Sequence, residues 1–487
     1  MASQVVVTLW WLGFWTAVGV CLGSFLNVVI YRLPRRRSLR TPLWSACPYC
    51  SHRIRWYDNL PIVSFILLRG RCRDCRAPIP TRYLVIEATT ALIVLILLDA
   101  FMISGLRDGL CTSRFGLTEK LAYDWPIVVA HVVLFACLIS MSAIDLEHYW
   151  VDIRFTNLAT FAGFVLHALW TPKHSMDWPR PGDPTAVASL MALAGLGVVW
   201  LVFVCRPHMD PEDFGEAEDR TAETSEQEGP PADPLPPIEP PSRLLAWAAG
   251  LLLVAVFVWL FVAALSDDAP PPGARILVPL MFVFLLIVRE GTVHRSSDHA
   301  IIEAIEEERH SARRMVLTEL AILLPAVLLA AVAIWLMAGE GDFPQRLSGV
   351  LHAKIRLWSL PSMRNWLPLL GLATAAAGYV VAGAVGWIVR IVFTLAFGRE
   401  AFGAGDIHLM AAAGCVAGWP VVVLGFLLTC ILAIAGWLLC LPFKRTRAIP
   451  LGPWLALAFL IVVIYYDQII EWRIIAHAVH TVHLLFY

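Results

Sequence analysis

Long apolar segments alternate with shorter polar ones along most of the 487-residue chain. A membrane-spanning helix needs roughly 20 mostly apolar residues. The pattern predicts nine strong candidates at 5–30, 84–104, 127–144, 185–205, 244–265, 316–338, 366–390, 420–441 and 450–466, and weaker ones at 153–170, 276–288 and 407–419. We therefore predict an all-α polytopic membrane protein with about 9–12 transmembrane helices. The first segment is expected to be a spanning helix and not a cleaved signal peptide, because it lacks a basic start and runs too long.

Composition supports the membrane assignment and narrows the class of protein. Hydrophobic residues make up 59% of the chain and charged residues only 15%. These proportions exclude an ordinary soluble globule, a disordered chain and a collagen-like fibre. The net charge of −1 gives no indication of nucleic-acid binding.

The charged loops predict how the helices are oriented. Residues 32–83 contain twelve arginines, no lysine and two acids. Positively charged loops stay in the cytoplasm. We therefore expect the amino terminus outside the inner membrane and the 32–83 loop inside. Alternation from that loop also puts Asp145, the 399–408 loop and the basic 444–447 segment on the cytoplasmic side.

Changes in composition divide the chain into six parts. Residues 206–243, rich in Pro, Glu and Asp, are interpreted as a disordered acidic linker. The 289–315 stretch is interpreted as an exposed amphipathic helix. The predicted parts are a first transmembrane helix (1–31), a small cytoplasmic zinc loop (32–83), helices carrying an aspartate (84–205), the linker (206–243), inserted helices with a polar segment (244–365) and the final helices (366–487).

Four of the eleven cysteines form two CxxC pairs in the arginine-rich loop. The pairs are Cys47 with Cys50 and Cys72 with Cys75. Each pair puts two thiolates on one tight turn, and two such turns can close a tetrahedral zinc shell. Zinc would act as a staple for a loop too small to fold alone. The nearby arginines are expected to lower the thiol pKa values. A redox dithiol is the less favoured alternative, because two matched pairs fit one closed site.

Two aspartates at membrane boundaries are candidates for chemistry. Asp145 follows a long apolar segment, and Asp406 follows Gly403 and Gly405 in a GxGD motif. Ionisable residues at such positions are costly and are often functional. Simpler alternatives are that Asp145 marks the interface and that Asp406 is a helix N-cap. If the carboxylates met, they would share a proton and could act as general base and general acid on an amide bond. The glycines would let an extended substrate approach closely.

These residues resemble the prepilin peptidase family, the GxGD-type membrane aspartic proteases of bacterial type IV pilus and type II secretion systems. The resemblance covers about 200 residues. It comprises 19–34 (GVCLGSFLNVVIYRLP), the cysteine loop with its NLP and RGRC segments and the following RY and Glu87, 142–146 around Asp145, 398–410 around Asp406, and the PLGPW at 450–454.

The family resemblance implies both activity and partners. Asp145 and Asp406 would be the catalytic pair, and the four cysteines would bind zinc. Family members cut prepilin or pseudopilin precursors after a glycine, before a hydrophobic helix, at the cytoplasmic membrane face. Many then methylate the new amino terminus with S-adenosylmethionine, which is the implied cofactor where methylation is retained. No residue of this chain is assigned to that cofactor.

Several positions depart from the family pattern. The proline expected after the first aspartate is missing, so a role for Asp152 is not carried over. His408 stands where a lysine is usual. If this position tunes Asp406, a histidine would make the effect pH-dependent; the alternative is that His408 is only a residue on the helix surface. The two aspartates lie 261 positions apart, with an apparent insertion from about 206 to 360 between them. Acids proposed to contact a basic leader are Glu147, Glu400 and those in 210–228.

Three other functions are compatible with the sequence. One is a GxGD protease acting on another substrate, without methylation. A second is a non-enzymatic transporter or assembly protein, although repeated halves and broken midplane helices are not evident. A third is a pseudo-enzyme that only binds pilin precursors, which the presence of both aspartates disfavours.

Overall fold

The computed structural model describes residues 2–35, 37–39, 44–107, 117–148, 152–170, 183–205, 312–338, 367–398, 402–440 and 451–471. The predicted linker 206–243, the segment 244–311, Glu400 and the basic 444–447 segment lie outside these residues. The domain boundaries given above stay predictions.

The described residues form helices and turns and contain no strand, which confirms the all-α prediction. Seven of the helices are long and apolar enough to cross a membrane, and three shorter apolar helices accompany them. The helices are α1 (Ala2–Arg32), α2 (Val63–Leu67), α3 (Thr81–Leu98), α4 (Leu117–His148), α5 (Ile153–Leu169), α6 (Asp183–Cys205), α7 (Ala312–Ala338), α8 (Leu367–Phe397), α9 (Ala404–Ala417), α10 (Trp419–Cys440) and α11 (Gly452–Ile470).

Most boundaries fall near the predicted ones, and the largest difference is at α4. The sequence predicts a start at 127, after Pro126, but the helix begins at Leu117 and contains that proline. A polar first segment extends the helix beyond its apolar part. Asp124 in this segment accepts a hydrogen bond from the Trp170 indole at 2.9 Å. This contact stabilises the extension against the end of α5.

Small residues let α1 and α3 pack closely. A Cβ atom at Gly19 would lie 2.8 Å from the Ala91 Cα, and one at Gly23 would lie 2.6 Å from the Glu87 Cα. Close approach of this kind is typical of helix pairs in membranes. The amide of Asn27, one turn further along α1, donates to the Tyr83 carbonyl at 3.0 Å. The 19–34 segment therefore packs directly against the helix that follows the cysteine loop.

The GxGD helix α9 lies inside the bundle. It contacts α4, α5, α8 and α10, and its residues from Leu409 to Ala417 are buried. A helix that is apolar all round is expected to be enclosed by other helices. The last described helix, α11, packs against α4 and α10. Helix α7, from the predicted insertion, packs at the periphery against α6 and α8.

Candidate active site and metal site

The four predicted zinc ligands converge. The sulfur atoms of Cys47, Cys50, Cys72 and Cys75 all lie within 4.8 Å of one another. The Cys47 and Cys75 Sγ atoms are 3.8 Å apart, and none of the four cysteines is in a disulfide. A tetrahedral ion with bonds of about 2.3 Å requires a sulfur–sulfur separation close to this value. The donor set therefore fits a single zinc ion and not two separate redox pairs.

The two cysteine pairs have the same backbone conformation. In the first turn the Ser51 N–H donates to the Cys47 carbonyl, and in the second the Arg76 N–H donates to the Cys72 carbonyl, at 2.9 and 3.1 Å. Ser51 and Arg76 both have positive φ, 58° and 60°. Isolated bridges close both turns, 46 to 53 and 71 to 78. The cysteine loop thus contains a short structural repeat that the sequence shows only through its CxxC pairs.

The thiol electrostatics also favour a cation, although not for the predicted reason. Burial, and then the neighbouring thiols, raise the pKa of Cys47. A hydrogen bond from the Ala77 backbone favours the Cys75 thiolate, yet desolvation and the other three thiols raise the pKa of Cys75 to about 12. The expectation that arginines lower these pKa values is therefore wrong for Cys47 and Cys75. Four thiolates this close need a metal ion to balance their charge.

An ion pair links the second turn to the rest of the loop. The Arg73 guanidinium donates to both Asp58 oxygens, at 2.8 and 2.6 Å. These two hydrogen bonds hold the pKa of the Asp58 carboxyl below its ordinary value. The bidentate geometry fixes the 56–58 turn against the metal site.

A strained turn docks the cysteine loop on the membrane helices. Ile62 has φ 62° and ψ −53°, and the Val63 N–H donates to the Pro61 carbonyl at 2.6 Å. This is a classic γ-turn, which is rare and strained for a β-branched residue. The Ile62 N–H donates to the buried carboxylate of Glu87 on α3, at 2.7 Å.

Asp145 lies near the carboxyl end of α4 and is 8% exposed. Its Oδ2 accepts the backbone N–H of Gly452 at 2.9 Å. Gly452 is the first residue of α11, and the positive end of a helix dipole favours a nearby anion. The sequence contains Gly452 within the PLGPW segment, but nothing in the pattern showed that its N–H meets Asp145.

Asp406 lies in the first turn of α9. The N-cap of that helix is Gly403, so the N-cap alternative for Asp406 is wrong. The Asp406 side chain turns back toward Gly403. This direction is evident from the space at Gly403, where a Cβ atom would lie 3.2 Å from the Asp406 Oδ2. Gly403 is exposed, so the backbone beside this carboxylate is accessible.

The fold brings the two aspartates to one end of the bundle. Helices α4 and α9 pack against each other, and the Asp145 and Asp406 carboxylates are close enough to interact electrostatically. The 261 positions between them therefore do not separate them in space. Nearby, Arg82 at the start of α3 pairs with Glu147 at the end of α4.

The remaining predicted residues have other surroundings. Asp152 is a helix N-cap that accepts the Arg154 N–H at 2.9 Å and pairs with the Arg154 side chain. His408 is half-buried on α9. Glu147 already pairs with Arg82, so a basic leader would compete with that arginine.

Two membrane charges near Asp406 were missed. Arg390 on α8 and Glu319 on α7 form an ion pair, with 2.8 Å between Nη2 and Oε1. The signal that could have found them is the presence of ionisable residues inside the predicted spans 366–390 and 316–338.

Comparison with known proteins gives a family match in the amino-terminal part. Residues 17–101 match the family model described as the bacterial peptidase A24 N-terminal domain. The match covers the second half of α1, the cysteine loop and α3, and it does not reach Asp145 or Asp406. No solved structure is detectably similar to this chain.

Curated relatives extend the similarity. A prepilin leader peptidase/N-methyltransferase of Myxococcus xanthus is 37% identical over 153 residues, which cover 31% of this chain and 39% of the relative. A type 4 prepilin-like proteins leader peptide-processing enzyme of Escherichia coli is 35% identical over 176 residues, covering 32% and 55%. The Burkholderia pseudomallei peptidase/methyltransferase is 31% identical over 216 residues, covering 39% and 60%. The chain thus spans less than two thirds of these relatives. Within these limits, the resemblance to prepilin peptidases that the motifs indicate is confirmed.

Proposed function

We propose that this chain is a membrane aspartic endopeptidase that removes the leader peptide from type IV prepilin or type II secretion pseudopilin precursors. The observation that carries the proposal is the approach of Asp145 and Asp406 at one end of a helical bundle, despite their distance in the chain. The names of the relatives support the prepilin class of substrate.

The chemistry follows from two carboxylates that share one proton. The Gly452 N–H stabilises the anion of Asp145, so we assign Asp145 as the general base that takes a proton from water. Protonated Asp406 donates a hydrogen bond to the scissile carbonyl oxygen. The resulting hydroxide attacks the carbonyl carbon. The proton that Asp145 took from water passes to the amide nitrogen, the C–N bond breaks, and the products are a carboxylic acid and an amine. No covalent enzyme intermediate forms.

We propose that cleavage occurs at the cytoplasmic face of the inner membrane, with the amino terminus outside. The twelve arginines of 32–83 support this orientation. The contact of Arg82 with Glu147 supports a common side for that loop and the Asp145 end of α4.

The cysteine site is proposed to hold structural zinc through Cys47, Cys50, Cys72 and Cys75. Zinc would join the two turns and balance the charge of four thiolates. Methylation by S-adenosylmethionine is the second activity that the relatives' names support. No described residue is assigned to that cofactor, so no methyl-transfer step is derived.

The test is cleavage of a matched prepilin in membranes containing wild type, Asp145→Asn or Asp406→Asn. Each substitution should reduce the rate at least about a hundredfold, because general acid–base groups contribute effects of this size. Asp152→Asn is the matched control, since asparagine also caps helices and this residue pairs with Arg154. Cleavage by either dyad variant at the control's rate would refute the assignment.

The other functions predict that even the wild type leaves the prepilin intact in these membranes. A protease for another substrate would then cut a different membrane protein and lose that activity in both dyad variants, whereas a transporter or assembly protein would cut nothing. Mass spectrometry of the cleaved amino terminus shows whether a methyl group has been added.

A further inference from the structure

A buried ion pair connects the inserted helix α7 to α8. Glu319 on α7 accepts from Arg390 Nε at 2.9 Å, and Arg390 Nη2 lies 2.8 Å from the same oxygen. Arg390 is 2% exposed and Glu319 is 9% exposed. Charges buried in membrane helices are costly, so such a pair is expected to have a function.

The same arginine also contacts the backbone next to the GxGD motif. Arg390 Nη1 donates to the carbonyl of Phe402, the residue before Gly403. The Phe402 ring packs edge-on against Phe426, with centroids 5.6 Å apart. The Asp406 N–H donates to the Gly403 carbonyl at 3.2 Å, so the anchored residue leads directly into the turn that carries Asp406.

The backbone of residues 402–406 needs an external contact to hold it, because glycine has no Cβ and allows many backbone conformations. Gly403 and Gly405 both lie in the turn of residues 403–406, and Gly403 is exposed. A guanidinium can hold a carboxylate and a carbonyl at the same time, because its donors point in fixed and different directions. Glu319 orients the guanidinium, and Arg390 then fixes the Phe402 carbonyl.

Few buried side chains hold helix α7 against the rest of the bundle. Many of its side chains are exposed, including Leu317, Val327 and Trp335. Between residues 316 and 335, Glu319 is the one charged side chain among the four that are buried. The contact of α7 with α8 therefore includes a charge that reaches toward the active site.

We propose that Glu319 and Arg390 are positioning residues for Asp406, and that the inserted helix α7 thereby forms part of the catalytic apparatus. This inference rests on the proposed function only in its effect on cleavage. Its structural part, the anchoring of residues 402–406, can be measured without any activity.

The first test is the neutral double variant Glu319→Gln/Arg390→Met, examined in purified full-length protein. Removing both charges leaves no unpaired buried ion, so the variant should fold with a wild-type thermal midpoint. Hydrogen exchange in a peptide covering 402–406 should become faster. Prepilin cleavage should show kcat reduced about ten- to hundredfold with KM unchanged, because a misplaced group costs rate more than binding.

The second test is Arg390→Lys, which serves if the double variant does not fold. Lysine keeps the charge opposite Glu319 but cannot also reach the Phe402 carbonyl in a fork. It should fold, and it should show the same faster exchange and lower kcat. The matched control is Arg107→Met/Asp467→Asn, which removes a 2.8 Å ion pair between other elements and should change neither value.

Wild-type exchange at 402–406 and wild-type kcat in both folded variants would overturn the inference. If Asp406→Asn still cuts the prepilin, the proposed function fails. The exchange measurement would then still decide whether Arg390 anchors the turn.

Discussion

The backbone N–H of Gly452 donates to the carboxylate of Asp145 at 2.9 Å, across 307 positions of sequence. This contact joins the start of the last described helix to the end of α4. A Cβ atom at position 452 would lie 2.9 Å from the same oxygen and 3.5 Å from the carboxyl carbon. Glycine is therefore the residue that allows the N–H and the carboxylate to approach.

Replacement of Gly452 by alanine should reduce prepilin cleavage about tenfold or more. The added methyl would push the Asp145 carboxylate away from the N–H, and a hydrogen bond to a charged group is worth about 1.5–3 kcal/mol. The measurement is kcat/KM in membranes of matched protein content. Gly197→Ala is the control, because a Cβ atom there meets nothing within 4 Å. Equal loss in both variants would indicate a general effect of alanine and not one at Asp145.

Metal analysis of the purified protein should find about one zinc per chain, since four thiolates form one tetrahedral site. The double variant Cys47→Ser/Cys75→Ser should lose the metal, because these ligands come from different turns. The control is Cys430→Ser, which changes an exposed cysteine on α10. Full zinc content in the double variant would contradict the ligand assignment.

Removal of the metal should loosen the loop and leave the helices intact. With zinc chelated, limited proteolysis is expected within residues 44–80, while the helical circular dichroism signal remains. The physical reason is that few apolar side chains of the loop are buried, including Ile62 and Phe65. Unchanged resistance to protease would show that Asp58, Glu87 and packing suffice.

The Glu87 carboxylate should be needed to hold the strained turn at Ile62. Glu87→Leu removes the acceptor of the Ile62 N–H and should destabilise docking of the loop by about 1–3 kcal/mol. Glu87→Gln keeps an acceptor oxygen and should have a smaller effect. Hydrogen exchange at residues 60–64 measures both variants. Equal exchange in the leucine variant and wild type would exclude this role for Glu87.

The sequence predicted those parts of the site that local chemistry specifies. Paired cysteines in a polar loop indicate a metal, and a lone acid such as Asp406 beside an apolar run indicates function. The CxxC spacing predicted that each cysteine pair lies on one turn. How the two turns meet to bring all four sulfur atoms together depends on the fold of the loop. The predicted topology puts Asp145 and Asp406 on one side of the membrane, but their approach also depends on how α4 packs against α9.

The missed contacts are mainly tertiary ones between a side chain and a distant backbone. The N–H of Gly452 and the carbonyl of Phe402 carry no residue-specific pattern, so no spacing rule could assign their partners. Arg390 and Glu319 were visible as charges within apolar spans, but their pairing depends on how α7 packs against α8. The strained Ile62 was hidden because β-branched residues rarely adopt positive φ.

Where α8 and α9 cross, their backbones touch at Gly378 and Gly414, and a Cβ atom at either position would collide with the other chain segment. Such close backbone contact restricts sliding of α9 along its axis and rotation about it. We therefore expect α9, which carries Asp406, to keep its position in the bundle. For the proposed peptidase, we expect the precursor, and not α9, to change conformation around the scissile peptide.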